Sequence, residues 1–366
     1  MITRLFFIFL FISNISFCQK HIPLDTINWD IKAKSYIIEN YKGKDAIYIQ
    51  SGAITLKNKT FLNGTIEFDI FLKEEQAFPG VYFRGTKDFD SEQWFMRPHL
   101  SGKPDANQAA PATKGITPWQ LYFGEKYSFP YNYKFNDWTH VKLVVNGNKA
   151  QVFLDYSKKP NLSWNLFHKT QEGAIAFRGG RFTGMHLANI IINPNNSNIV
   201  DFKPKKRKPI KNLITKWKVS DMFEEKQLKN INNFKKIINS RKWVGDIVIE
   251  EGTAANISRK HQLYNGKPGN TVFTKLEIDS YKNQTKIFEF GYSDRIIVIL
   301  NGKPIYKGTN KWRSRDYRYL GTVGLFDAVY LPLKKGKNTL LMAVSEDFGG
   351  WLVTGRFKNN NNITVK

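Results

Sequence analysis

Short runs of alternating apolar and polar residues, broken by turn chemistry, cover most of the chain beyond its first twenty residues. Successive side chains on a strand point to opposite faces, so this period-two pattern marks half-buried strands. The run TIEFDIFL puts Ile66, Phe68, Ile70 and Leu72 on one face. Thr65, Glu67, Asp69 and Phe71 fall on the other. Two runs, HVKLVV-NG-NKAQVFLD and RIIVIL-NG-KPIY, place Asn146-Gly147 and Asn301-Gly302 where a tight hairpin needs positive φ. Only MFEEKQLKNINNFKKII, Met222 to Ile238, reads as a helix, and a partly irregular one. The pattern predicts an all-β fold of two β-sandwich (jelly-roll) domains in tandem.

The chain has 366 residues with 41% hydrophobic content, enough for two cores without staples. Residues 1–18 read as a signal peptide. Arg4 gives the positive start, LFFIFLFI the apolar stretch, and Ser16-Phe17-Cys18 the cleavage site. The expected location is therefore exported: periplasmic, cell-surface or secreted. Cys18 is the lone cysteine, which leaves no internal disulfide and disfavours thiol chemistry. Phe17 is larger than a lipidation site wants, so simple cleavage is the preferred reading over a lipid anchor. No later stretch is apolar for long enough to give a transmembrane segment. The boundaries predicted are 22–195 for the first sandwich, 196–212 for a basic linker, 213–358 for the second sandwich and 359–366 for a tail. The two are expected to fold separately. The net charge of +25 comes mostly from scattered lysines, which argues for a composition bias over an acidic partner, whether nucleic acid, membrane or anionic polysaccharide.

The stretch from Trp94 to Gly124 is the expected rim of a site. WFMRPH and PWQLYFG read as strands, with a long loop over Ser101 to Pro118 between them. A loop of that length in a compact domain is usually functional or disordered. Asp105, Asn107 and Gln108 are expected to satisfy its backbone, with Trp119 anchoring its far end. Alternation places Tyr82 with Arg84, Gln93 and Phe95 with Arg97 and His99, and Gln120 with Tyr122. If these sides coincide, Tyr82, Arg84, Arg97, Gln120 and Tyr122 line one concave ligand-binding face near Glu67 and Asp69, with His99 and Trp119 as further ligand-binding candidates. Arginine forks and amides bond hydroxyls and carboxylates, and aromatic rings stack on sugars. The competing reading is a polar face stitched by arginine–carboxylate pairs. Glu67 and Asp69 share a face and are the weak catalytic candidates, since glycoside cleavage uses paired carboxyls. Solvent-facing strand carboxylates account for them better.

The histidines are too scattered for a metal set. Asp88, Asp90 and Glu92 in DFDSE suit an acidic turn, with a structural calcium left open, and no cofactor is expected. WRSRDYRY, residues 312–319, reads as an aromatic-basic loop: Trp312, Arg313, Arg315 and Arg318 could meet an anionic glycan, with Trp312 packed under arginines the preferred alternative.

Gly64 to Asp69 (GTIEFD), Gly80 to Arg84 (GVYFR), Phe95 to His99 (FMRPH), Pro104 to Gln108 (PDANQ), Trp119 to Tyr122 (WQLY) and Trp138 to Lys142 (WTHVK) resemble the concanavalin A-like lectin/glucanase superfamily, in its laminin-G-like and keto-disaccharide-hydrolase-like branch. Gly291 to Asp294 (GYSD), Leu300 to Gly302 (LNG), Leu331 to Leu333 (LPL), Gly336 to Asn338 (GKN) and Phe348 to Trp351 (FGGW) resemble galactose-binding-like jelly rolls. The resemblance implies secreted bacterial polysaccharide processing. The compact E-x-D-x-x-E strand of related glucanases is absent, because Glu74 falls two positions late and on the other face. The leading expectation is carbohydrate binding, with an oligo- or polysaccharide as partner, an acidic one included. A glycoside hydrolase or lyase at the same concave face is the runner-up. A cell-surface interaction protein without a glycan comes third.

Overall fold

The computed structural model describes residues 21–179, 183–230, 234–264 and 269–366; the expected signal peptide and Cys18 lie outside them. The first eleven strands are β1 (Trp29–Tyr41), β2 (Lys44–Leu56), β3 (Gly64–Leu72), β4 (Gly80–Gly85), β5 (Ser91–Met96), β6 (Asn107–Ala112), β7 (Asp137–Asn146), β8 (Lys149–Leu154), β9 (Leu162–Asn165), β10 (Ala174–Arg178) and β11 (Gly184–Asn193). They pair in the order β6-β5-β4-β10-β2-β11-β3-β7-β8-β9, with β1 alongside β2.

Strand β2 changes neighbour partway along. Ala46–Gln50 pair with β11, whereas Ala53–Thr55 pair with β10. The sheet therefore divides into two layers that share β1 and β2. Phe68 of β3 and Phe177 of β10 meet between them, ring centroids 5.0 Å apart. Val81, Phe83, Trp94, Val141 and Leu143 complete this buried centre.

The second set is β12 (Lys216–Ser220), β13 (Trp243–Glu250), β14 (Ala254–Asn256), β15 (Thr271–Ser280), β16 (Gln284–Tyr292), β17 (Arg295–Leu300), β18 (Lys303–Thr309), β19 (Asp327–Leu333), β20 (Gly336–Ser345), β21 (Leu352–Phe357) and β22 (Ile363–Val365). Their order is β18-β17-β20-β15-β12-β13-β14-β21-β16-β19, with β22 beside β15. Trp217, Phe288, Met342 and Trp351 lie in its core. The chain is thus two tandem β-sandwiches. The expected helix resolves into a 3-10 turn, Glu225–Lys229, and a short α1, Phe234–Asn239. Leu228, Phe234 and Ile237 from these pack on Phe273 and Leu341.

Asn301 and Gly302 form the β17–β18 turn with φ of 50° and 81°, the two positive angles such a turn demands. At β7–β8 the strands run through Asn146 and resume at Lys149. That turn is therefore Gly147-Asn148, one residue later than expected, with Gly147 at φ 58°.

The Trp94 to Gly124 stretch corrects the sequence reading. Residues 107–112, expected as loop, are β6, paired with β5 from Met96↔Asn107 to Ser91↔Ala112. Residues 118–124, expected as a strand, form turns. Pro111 is tolerated because β6 is an edge strand. The backbone of 119–122 is held by other means: Gln108 Nε2 donates to the carbonyls of Trp119 (2.9 Å) and Tyr122 (2.6 Å).

Candidate functional site

The layer β6-β5-β4-β10, with the end of β2, turns one face inward and one toward the second sandwich. Val81, Trp94, Met96, Ile175, Phe177 and Ile54 point into the core. The opposite set is Tyr82, Gln93, Phe95, Ala174, Ala176, Arg178, Ala53 and Thr55, and it lines a cleft of about 960 Å³. Small side chains on β2 and β10 make the floor deep. Phe89, Trp119 and Gln120 continue the wall. Loops of the second sandwich close the far side with Asp294, Asn310, Trp312, Arg313 and Phe348.

The two sandwiches meet tightly around this cleft. Gln120 Oε1 accepts from the Gly350 amide (3.0 Å), and the Gln120 carbonyl from the Val323 amide (2.8 Å). The Leu320 amide donates to Asp105 Oδ2 at 2.7 Å. Trp119 packs on Phe348, centroids 5.5 Å apart. A Cβ on Gly349, at φ 112°, would lie 2.4 Å from the Trp119 ring, so only glycine lets that ring seat there.

Of the residues picked from sequence, Tyr82, Arg97, Trp119 and Gln120 line the cleft. Tyr82 Oη accepts from Arg178 at 3.0 Å. Arg97 is only 1% exposed. Its guanidinium donates to Asp105 Oδ1 (2.6 Å) and to Gln108 Oε1. Asn107 Nδ2 donates to the Phe129 carbonyl at 2.8 Å.

The remaining picks lie elsewhere. Arg84 sits at φ 55° beside a register shift between β4 and β10. That irregularity breaks the alternation that paired it with Tyr82. Its side chain is buried against the carbonyls of Leu62 (2.6 Å) and Gly147 (2.7 Å). His99 is in a 3-10 turn, its ring 5.2 Å from that of Phe78. Burial, with Arg97 and Lys103 nearby, lowers its pKa to about 4 and keeps it neutral. Tyr122 is buried and donates to Glu250 Oε2 at 2.6 Å, beside a smaller cavity of about 560 Å³.

Glu67 and Asp69 lie on β3, in the other layer. They are not plain solvent-facing carboxylates. His140 lies between them, Nδ1 at 2.8 Å from Asp69 and Nε2 at 3.4 Å from Glu67. Lys44 (2.7 Å) and Asn189 (2.6 Å) also bond Asp69. Burial would raise the Asp69 carboxyl, but these partners bring it down to about 2. Burial likewise opposes charge on His140, yet Asp69 and Glu67 lift it to about 9. Tyr156 stacks on its ring at 4.0 Å.

In the DFDSE turn, Asp90 Oδ1 accepts the Lys114 amide at 2.7 Å. Glu92 is buried, which raises it to about 7, and it accepts the Phe167 and His168 amides. Among the described residues no group of three or more His, Cys, Asp or Glu could hold a metal ion.

Sequence reasoning missed Arg178, Asp294 and Phe348 as cleft residues, and it named Arg313 only within the WRSRDYRY cluster, apart from the first-domain face. The AIAFR run carried a signal for Arg178, since Ala174 and Ala176 share its side. Trp312 was read as packed under arginines. Instead it is 72% exposed, its ring 5.6 Å from that of Phe348.

No family model and no curated protein matches the chain. Among solved structures, it is similar to a carbohydrate-binding module of Bacillus subtilis: 14% identity, 39% of this chain and 84% of that one, TM-score 0.30. A β-glucanase of Bacillus licheniformis shares 11% identity over 48% of this chain and 95% of its own, TM-score 0.33. A galectin of Caenorhabditis elegans shares 15% identity over 45% of this chain and 99% of its own, TM-score 0.28. Overlaps this partial, at such identities, say nothing about a ligand.

Proposed function

We propose that the chain binds a saccharide in the cleft between its two sandwiches. The supporting observation is the composition of that cleft. A floor of Ala53, Thr55, Ala174 and Ala176 is flanked by Tyr82, Trp119, Trp312 and Phe348, with Gln93, Arg178 and Asn310 interspersed. Flat aromatic surface beside a few polar groups suits a ring that is apolar on its face and hydroxylated at its rim. Arg97 Nε and Thr322 Oγ1, both on lining residues, have no hydrogen-bond partner among the described residues.

The hydrolase or lyase reading with Glu67 and Asp69 as its carboxylates draws no support from this cleft. Both residues lie on the other layer, tied to His140 and Lys44. Export, drawn from Arg4 and the apolar run after it, belongs to the same proposal.

The test is calorimetric titration of the full chain with neutral and acidic oligosaccharides, beside Trp312→Ala. Trp312 is exposed, so the substitution should leave the melting temperature alone while weakening binding about tenfold, the loss of one stacked ring. Unchanged binding in that variant would place the ligand elsewhere.

A further inference from the structure

The arginines of this chain divide sharply by partner. Seven of the described ones pair with a carboxylate. Two more, Arg84 and Arg207, lie on backbone carbonyls. Among the described residues only Arg178 and Arg313 do neither, and both line the cleft. Arg178 is half-buried, and among the described residues its one side-chain bond is to Tyr82 Oη. Arg313 is exposed and makes no side-chain bond or ion pair among the described residues.

The composition bias does not account for this. The chain holds forty-three lysines and thirteen arginines. The cleft is lined by three arginines and one lysine, Lys87. A guanidinium stays charged at any working pH and presents a planar fork that matches an oxyanion. The acids nearby do not answer it. Arg97 is neutralised by Asp105. Asp90 and Asp294 each already accept a backbone amide, from Lys114 and Asp347. Burial also disfavours charge on Asp294.

We infer that the ligand of this cleft is an acidic saccharide whose carboxylate or sulfate is held by Arg178 and Arg313, one from each sandwich. The inference rests on the saccharide reading above and narrows it. An anion there would complete the two arginines left open among the described residues, and it would bridge the sandwiches. Neutral sugars would use the aromatic wall and offer the guanidinium groups only hydroxyl oxygens, which accept more weakly than an oxyanion.

The experiment titrates the full chain with a uronate oligosaccharide, a sulfated galactan oligosaccharide and a neutral gluco-oligosaccharide of equal length, at low and high salt. An acidic chain should bind about tenfold or more tighter than the neutral one, a preference that salt erodes. Arg178→Gln should lose about tenfold on the acidic ligand, as one charge-assisted pair goes, and distinctly less on the neutral one, which loses at most a neutral hydrogen bond. Arg178→Lys should fall between. Arg313→Gln, at an exposed position that folding does not need, gives the same readout if Arg178→Gln is unstable. Which of the two acidic chains binds tells carboxylate from sulfate. Equal binding of neutral and acidic chains, or an acidic preference that survives both glutamine variants, overturns the inference and leaves the saccharide reading standing. No binding of any chain overturns both.

Discussion

Arg97 and Arg178 face the same cleft yet differ in what they can do for a ligand. Arg97 is clamped by Asp105 and Gln108, and Gln108 in turn holds the carbonyls of Trp119 and Tyr122. The sequence reading placed Arg97 on the ligand-binding face, and a side chain that served only a ligand could be lost without cost to stability. The clamp reverses that expectation. Arg97→Ala would leave Asp105 buried without its cation, at a cost of about 3–5 kcal/mol. The melting temperature should drop by on the order of 10 °C. A thermal melt checks this, and a drop of only a degree or two would mean that the clamp contributes little. Alternation did place Tyr82, Gln93, Phe95 and Arg97 on one side, because a regular strand makes side-chain direction a matter of counting. It failed at Arg84, because a positive φ at a register shift depends on how β4 meets β10, and nothing local encodes that.

At the level of elements, β2 carries the most topology. It passes from β11 to β10 around Ser51 and Gly52, with Ser51 at φ 49°. A Cβ on Gly52 would stand 2.1 Å from the Lys32 carbonyl oxygen of β1, so the two strands would have to part. Gly52→Ala should therefore destabilise the first sandwich by about 1–3 kcal/mol. Denaturant unfolding followed by tryptophan fluorescence measures it; an unshifted midpoint would show that the close approach relaxes freely. The hairpins and the long strands were legible because their signals are short-range. The exchange of strand and loop between 107 and 124 was not. NQAAPA is weak strand material that pairs because β5 offers it an open edge. PWQLYFG has strand-like aromatics, but its backbone is satisfied by a glutamine side chain and by the second sandwich.

Across the whole molecule, the two sandwiches share more than a tether. Val323 and Leu352 pack into the first core and Ile116 into the second. Lys126 pairs with Glu251, and Arg207, in the expected linker, lies over the Phe123 ring at 4.5 Å and bonds its carbonyl. A protease site built between the exposed Lys205 and Lys206 should therefore give a nicked chain whose halves co-elute on gel filtration, separating only in denaturant. Halves that part at once and stay folded would mean that the interface is dispensable.

The cleft draws its floor from residues 53–97 and 174–178 and its roof from residues 292–349. Nature often moves sugar-recognising domains between proteins as single cassettes. Neither half of this chain could travel that way and keep its pocket. A gene fusion carrying only the first sandwich would deliver an open trough, with Val323 and Leu352 missing from its core and Trp119 stripped of Phe348 and the glycines that seat it. On the proposed saccharide reading the recognising unit is the pair, and any rearrangement that preserved the cleft would have to copy both.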